Sequence, residues 1–111
     1  VARLRQLSAH EIGHTLGLAH AYASSPTNRA SVMDYPYPLI SMDNAGNIDL
    51  SNAYDNKIGG WDKWAIKYGY ATVPNGQNEK AFLNKILEDT YSAGHTFISD
   101  ADSRATSGSH P

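Results

Sequence analysis

The chain has 111 residues, which allows at most one domain and a small one for an enzyme with a substrate cleft. With 41% hydrophobic and 18% charged residues it reads as globular, and a net charge of −2 gives no electrostatic case for nucleic acid or an anionic membrane as partner. The absence of cysteine excludes thiolate metal sites, disulfides and cysteine nucleophiles, and no apolar stretch approaches the length of a membrane span.

In chain order, residues 2–16 predict a helix that stops at Gly17, the residue type suited to a left-handed C-terminal cap. Leu4, Leu7, His10 and His14 share one half of its wheel, and Ile12 and Leu16 lie on the other. Apolar side chains on both halves predict a helix buried between two layers, part of whose cover lies outside this sequence. Val1-Ala2-Arg3-Leu4-Arg5-Gln6-Leu7 runs straight into a histidine motif with no leader and no initiator methionine, as in a piece of a longer protein. Residues 21–50 lack a sustained period and predict irregular structure with a turn at Asp43-Asn44-Ala45-Gly46-Asn47. A short helix over residues 58–69 follows, with Ile58, Trp61, Trp64, Ala65 and Tyr68 on its apolar face, Gly59-Gly60 near its start and Gly69 at its end. A third helix over residues 78–93 turns Phe82, Leu83, Ile86, Leu87 and Thr90 inward and ends at Gly94. His95-Thr96-Phe97-Ile98 predicts a short strand before a polar tail.

The chemistry lies in His10-Glu11-Ile12-Gly13-His14-Thr15-Leu16-Gly17-Leu18-Ala19-His20. Two histidines at i and i+4 on a helix project from one face, close enough to hold one ion. Catalytic zinc commonly has three protein ligands and one position for water, whose pKa falls to about 7 when bound. Glu11, beside the first ligand, can take that proton and pass it to a leaving amine. A straight helix would carry His20 away from the other two, but Gly17 can adopt positive φ and turn the chain back toward the ion. With ordinary residue usage the five fixed positions coincide at on the order of 10⁻⁷ of positions or fewer. His95 and His110 have no partner at ligand spacing and read as solvated or hydrogen-bonded side chains. Asp100-Ala101-Asp102-Ser103-Arg104 begins like a calcium loop, but Arg104 and Ala105 stand where an oxygen ligand and glycine are needed, so a solvated turn is the better reading.

With its three histidines and Gly17, the sequence resembles the extended zinc motif HExxHxxGxxH of the metzincin metallopeptidases. Downstream, Ser31-Val32-Met33-Asp34-Tyr35-Pro36 is similar to that clan's second signature, the Met-turn, in which Met33 gives a soft apolar floor under the ligands. Tyr35 stands two residues beyond the methionine, where astacins and serralysins carry a tyrosine that reaches the metal or the oxyanion. Such a phenol can donate to a tetrahedral intermediate; the alternative is an aromatic packed in a proline-rich loop. Ala21, directly after the third histidine, is atypical of astacins, matrixins, adamalysins and serralysins. The stretch through Trp61-Asp62-Lys63-Trp64-Ala65-Ile66-Lys67-Tyr68-Gly69-Tyr70 is more similar to large bacterial zinc-dependent metalloproteases with a Met-zincin-like catalytic domain. In some relatives an acidic residue on this helix bonds to the turn, but a solvent-facing Asp62 near a helix N-terminus is the equal or better reading.

The resemblance implies a mainly α chain with irregular loops. It would be the active-site helix and C-terminal subdomain of an α+β zincin-like catalytic domain, partial over residues 1–111, with the upper β-sheet missing. Residues 1–20 would carry the helix and third ligand, 31–36 the Met-turn, 58–69 the helix beneath it and 78–93 an additional helix. It further implies a zinc endopeptidase with one catalytic Zn²⁺ on His10, His14 and His20, Glu11 as general base and Tyr35 as oxyanion donor, with Gly17 and Met33 as structural support. The substrate would be a peptide or protein bound by strand addition to the missing sheet, and the protein would be exported. The competing readings are a zinc hydrolase of a non-peptide bond and a non-catalytic zinc-binding scaffold. Oligomeric state is not legible.

Overall fold

The computed structural model describes residues 1–24, 29–35 and 37–103. Pro36 of the predicted turn, Arg104 and Ala105 of the acidic cluster, and His110 with the rest of the polar tail lie outside the described residues. The regular elements among those described are α1 (Ala2–Thr15), β1 (Ser41–Met42), β2 (Ile48–Asp49), α2 (Gly60–Tyr70), α3 (Glu79–Ser92) and α4 (Asp100–Ser103). The chain is mostly helical, with one small antiparallel sheet in which Ser41 pairs with Asp49 and Met42 with Ile48.

The end of α1 is built by hydrogen bonds that a glycine makes possible. Gly17 takes φ +90, the Leu18 N–H donates to Gly13 O at 3.0 Å, and the Gly17 N–H donates to His14 O at 3.0 Å. These are the paired bonds of a Schellman motif, and they reverse the chain immediately after the second histidine. Of α1 only Gln6, His10 and Gly13 are buried, in a stripe whose His10 and Gly13 face the turn at residues 31–34. The expected second layer is not found among the described residues, since Leu4, Ile12 and Leu16 are exposed.

The turn expected at Asp43 is present, closed as a hairpin between β1 and β2. The Asp43 carboxylate accepts the N–H groups of Ala45 and Asn47, each at 2.9 Å, and Gly46 takes φ +82. The backbone N–H of Asn47, more than any other group, holds the Asp43 carboxyl below its ordinary range.

α2 begins at Gly60, later than the apolar period suggests, and Ile58 lies outside it and exposed. Its N-terminus is fixed by position-specific contacts: Gly59 caps it, the Asp62 carboxylate accepts the Gly59 N–H at 2.7 Å, and Trp61 N donates to Ala30 O at 2.9 Å. A Cβ on Gly59 would run into the Ala30 carbonyl, so the close approach of the two segments requires glycine. The helix runs through Gly69 to Tyr70, because glycine permits a left-handed exit without compelling one.

α3 starts at its Asn78 cap, which accepts Ala81 N at 3.0 Å, and packs on α2. Ile86 is its buried residue, and Leu87, expected inward, is exposed. Gly94 takes φ +81 just after it. Residues 95–98 form no strand. Instead Phe97 stacks flat on Trp61, ring centroids 5.2 Å apart, and Ile98 O accepts Tyr22 N at 2.8 Å. The segment is held by an aromatic stack and by isolated backbone bonds, His95 N to Thr90 O at one end and Tyr22 N to Ile98 O at the other, which form no ladder.

The core cluster is Ala21, Val32 and Met33, ringed by Ala9, Leu18 and Trp61. Met33 is 0% exposed, and a Cβ on Gly13 would overlap its sulfur, with Cε only 3.2 Å away. Because the methionine is enclosed, it has little room to swing aside. Replacing Gly13 by Ala in the full chain should therefore lower stability by about 1–3 kcal/mol through overpacking, read as a reduced urea midpoint at constant slope.

Candidate metal centre

Three histidines converge where α1, the segment after it and the 31–34 turn meet. His10 and His14 stand on consecutive turns of α1, and His20 follows the reversal at Gly17. One ring nitrogen of each lies within 4.8 Å of the others, the arrangement of a metal-holding group. His10 is almost wholly buried, and His14 and His20 are both more open. The rings of His10 and His14 meet edge to face at 4.7 Å, as do those of His14 and His20.

The opposite nitrogen of every ring is tethered. His10 Nδ1 lies 2.7 Å from Val32 O and His14 Nδ1 lies 2.9 Å from Leu18 O. A carbonyl only accepts, so in the neutral rings both Nδ1 atoms carry the proton and both Nε2 atoms are bare. Those two bare nitrogens face each other at 3.1 Å. Between neutral rings this is no hydrogen bond but two lone pairs in opposition, which a shared cation turns from repulsion into attraction. Two nitrogens on one tetrahedral zinc stand about 3.3 Å apart, close to the spacing found. The donor set fits zinc.

His20 is held differently. Its Nδ1 lies 2.8 Å from Asp100 Oδ2 and 3.1 Å from the Tyr22 hydroxyl, while Tyr22 donates to Asp100 Oδ1 at 2.8 Å. The Tyr22 ring stacks on the imidazole at 5.2 Å. Loss of solvent, with the Asp100 hydrogen bond adding to it, pushes the Tyr22 phenol up to about 12. Hydrogen bonds from Tyr22 and then His20 hold the Asp100 carboxyl below its ordinary range. On the other side of the ring, the Tyr35 hydroxyl lies 2.7 Å from His20 Nε2. With Nδ1–H directed at the carboxylate, Tyr35 is the donor in that contact. Tyr35 is therefore at the site and not packed away in its loop. Glu11 is exposed on α1 beside His10.

The floor is pinned by one carboxylate. Asp62, 2% exposed, accepts the Ser31 hydroxyl at 2.5 Å and the Val32 N–H at 2.9 Å. Ser31 Oγ in turn accepts Met33 N at 2.8 Å. The solvent-facing reading of Asp62 is thus corrected: the side chain is buried and bonded to the turn, because α2 starts with its first N–H groups against residues 30–32. Ala21 N donates to Met33 O at 2.9 Å, joining the third-ligand segment to the same turn.

A sequence profile of the Met-zincin family matches residues 1–111. The chain belongs to the Met-zincin family. Membership implies zinc as the resident ion, and with the three-histidine cluster it marks a zinc metalloprotease-like domain. The mostly helical Met-zincin chain with its one hairpin is compatible with part of a zincin-like domain. No curated protein and no solved structure is significantly similar to it.

Two residues at the Met-zincin centre carried no signal in the sequence. Tyr22 lies in a stretch without period, and Asp100 is 80 positions from His20. The reading of the 100–104 cluster as a solvated turn is corrected for Asp100, which opens the short helix α4 and meets His20. His95 stays apart from the cluster, its ring against Gly60.

Removing the Asp62 carboxylate strands the buried Val32 N–H and Ser31 O–H and loosens the carbonyl that orients His10. Asp62→Ala should cost about 3 kcal/mol of stability and weaken zinc binding in a chelator competition. An Asp62→Ala chain with wild-type stability and zinc affinity would contradict this account of the floor.

Proposed function

We propose that this chain is the zinc-holding half of a metallopeptidase catalytic domain, and that the parent protein hydrolyses peptide bonds. The observation that carries the reading is the convergence of three imidazoles whose Nδ1 atoms are each tethered and whose Nε2 atoms are left bare, in a motif that also places a carboxylate beside the first ligand. His10, His14 and His20 would hold the ion. Bound there, zinc supplies a Lewis acid for the scissile carbonyl and acidifies an attacking water. Glu11 takes the proton from that water on its carboxylate and returns it to the departing amine. Its exposure on α1 keeps it open to substrate.

Tyr35 has a second task in this reading. Its hydroxyl now donates to the His20 lone pair that a metal would take, so ligation releases the O–H. The freed phenol, on an exposed side chain, can then donate to the developing oxyanion. The exposed Leu4, Ile12 and Leu16 support α1 as the lower wall of a cleft whose upper sheet and specificity surface are not in these residues. Substrate would be an extended peptide bound along that sheet.

The test is made in the full-length protein. Glu11→Gln should lower peptide cleavage by about 10²–10⁴-fold with stoichiometric zinc retained, and Tyr35→Phe should lower kcat without weakening zinc binding. Cleavage surviving in Glu11→Gln would overturn the general-base assignment. A zinc-loaded wild-type protein that cleaves no member of a peptide pool would favour the scaffold reading, or hydrolysis of another bond if a substrate panel found one. Export is part of the same proposal by resemblance, and cell fractionation that leaves the full-length protein in the cytoplasm would remove it.

A further inference from the structure

The three ligands are not tethered alike, and the difference assigns a role to residues far from the motif. His10 and His14 lean on main-chain carbonyls supplied by Val32 and Leu18. His20 follows a chain reversal, and its Nδ1 meets side chains instead: the Asp100 carboxylate and the Tyr22 hydroxyl. Tyr22 has one proton and directs it to Asp100 Oδ1, so its oxygen faces Nδ1 as an acceptor. The carboxylate thereby sets the direction of both donors. Asp100 is itself placed by a chain of contacts: Phe97 stacked on Trp61, Ile98 O bound to Tyr22 N, and Ser99 N donating to Asp102 Oδ2 at 3.1 Å where α4 begins.

We infer that Asp100, acting with Tyr22, is a positioning residue for the third zinc ligand, holding His20 as the Nδ1–H tautomer with Nε2 bare toward the metal. The inference rests on the reading of His10, His14 and His20 as the zinc ligands. Carboxylates behind ligating histidines fix tautomer and ring orientation, and their loss typically weakens metal binding 10–100-fold. Here the geometry adds a sharper consequence. Without Asp100, the Tyr22 O–H is free to turn and donate to Nδ1. The ring proton then moves to Nε2, where the Tyr35 oxygen can accept it, and the nitrogen needed for the metal is blocked.

The test combines zinc affinity by chelator competition with the histidine tautomers of the metal-free full chain, read from ¹⁵N chemical shifts. In the unchanged chain all three rings should be Nδ1–H. Asp100→Ala should shift His20 alone toward Nε2–H, leave His10 and His14 as they were, and weaken zinc binding by about 10–100-fold. Adding Tyr22→Phe to that variant removes the competing donor and should restore part of both readouts. Asp100→Asn keeps an acceptor oxygen and should weaken binding less than Asp100→Ala; it carries the test if the alanine variant does not fold. Wild-type affinity and tautomer in Asp100→Ala, or wild-type affinity in Asp100→Asn where that variant stands in, would overturn the inference while leaving the zinc site intact. Failure of the unchanged chain to bind zinc would overturn the site reading and this inference with it.

Discussion

The Asp62 carboxylate is the constraint on which the rest of this structure depends. It is buried, and it gathers the Ser31 hydroxyl, the Val32 N–H and the Gly59 N–H onto two oxygens. These bonds do different jobs at once. The bond to Gly59 starts α2, the bond to the Val32 N–H fixes the peptide preceding Val32, and the carbonyl of Val32 receives His10 Nδ1. A histidine of the candidate metal centre is thus oriented by a helix in a different part of the chain, through the backbone of one residue. Two of the three donors are main-chain groups, so this linkage depends on the carboxylate itself more than on the side chains of its partners. Glycine at positions 13 and 59 belongs to the same device, since both admit neighbours that a Cβ would displace.

The centre divides into a rigid part and an adjustable part. His10 and His14 are fixed by helix geometry and carbonyl tethers, and their Nε2 atoms already stand at a spacing suited to a shared tetrahedral ion. His20 stands on a loop, held by side chains on one nitrogen and touched by the Tyr35 hydroxyl on the other. Preorganisation of this kind places unfavourable lone-pair contacts in the metal-free protein, and a cation relieves them. The same contacts explain why the Tyr35 phenol rests on His20: its O–H donates to a bare Nε2.

How much of this was legible in sequence depends on the range of each interaction. The histidine spacing, the stop at Gly17 and the Asp43 turn are local, and local rules suffice because each rests on residues within one or two turns. The place of Met33 under the site came from resemblance and not from periodicity. Asp62 was named, but its burial was not readable: a carboxylate in a first helical turn satisfies the helix equally well facing water or a neighbouring turn. Ile58 and Leu87 fit an apolar helical face and are nonetheless exposed, since the period says which residues share a side and not where a helix begins or how far its partner extends. Asp100 was the hardest. Its partner is remote in sequence, and the residues that bring it close are an aromatic stack and one backbone bond, neither of which leaves a pattern.

The balance of buried groups shows what kind of stability this arrangement has. The buried apolar residues are small apart from Val32, Met33 and Ile86, while Gln6, His10, Ser24, Ser31, Asp34 and Asp62 are buried beside them. No buried side-chain nitrogen or oxygen among the described residues lacks a partner. Apolar burial on this scale contributes little for a chain of this size, so the local conformation is specified chiefly by a satisfied polar network, which is directional where packing is not. Networks of that kind define one geometry sharply yet add modest net free energy. The consequence is a site whose shape is set before the ion arrives but whose stability gains from it, because metal binding to a preformed ligand set is also folding free energy. Ion and fold would therefore reinforce each other through the same few bonds: a zinc held by His10 would draw on Val32 O, Val32 draws on Asp62, and Asp62 caps the helix that carries Trp61 and, stacked on it, the segment leading to Asp100.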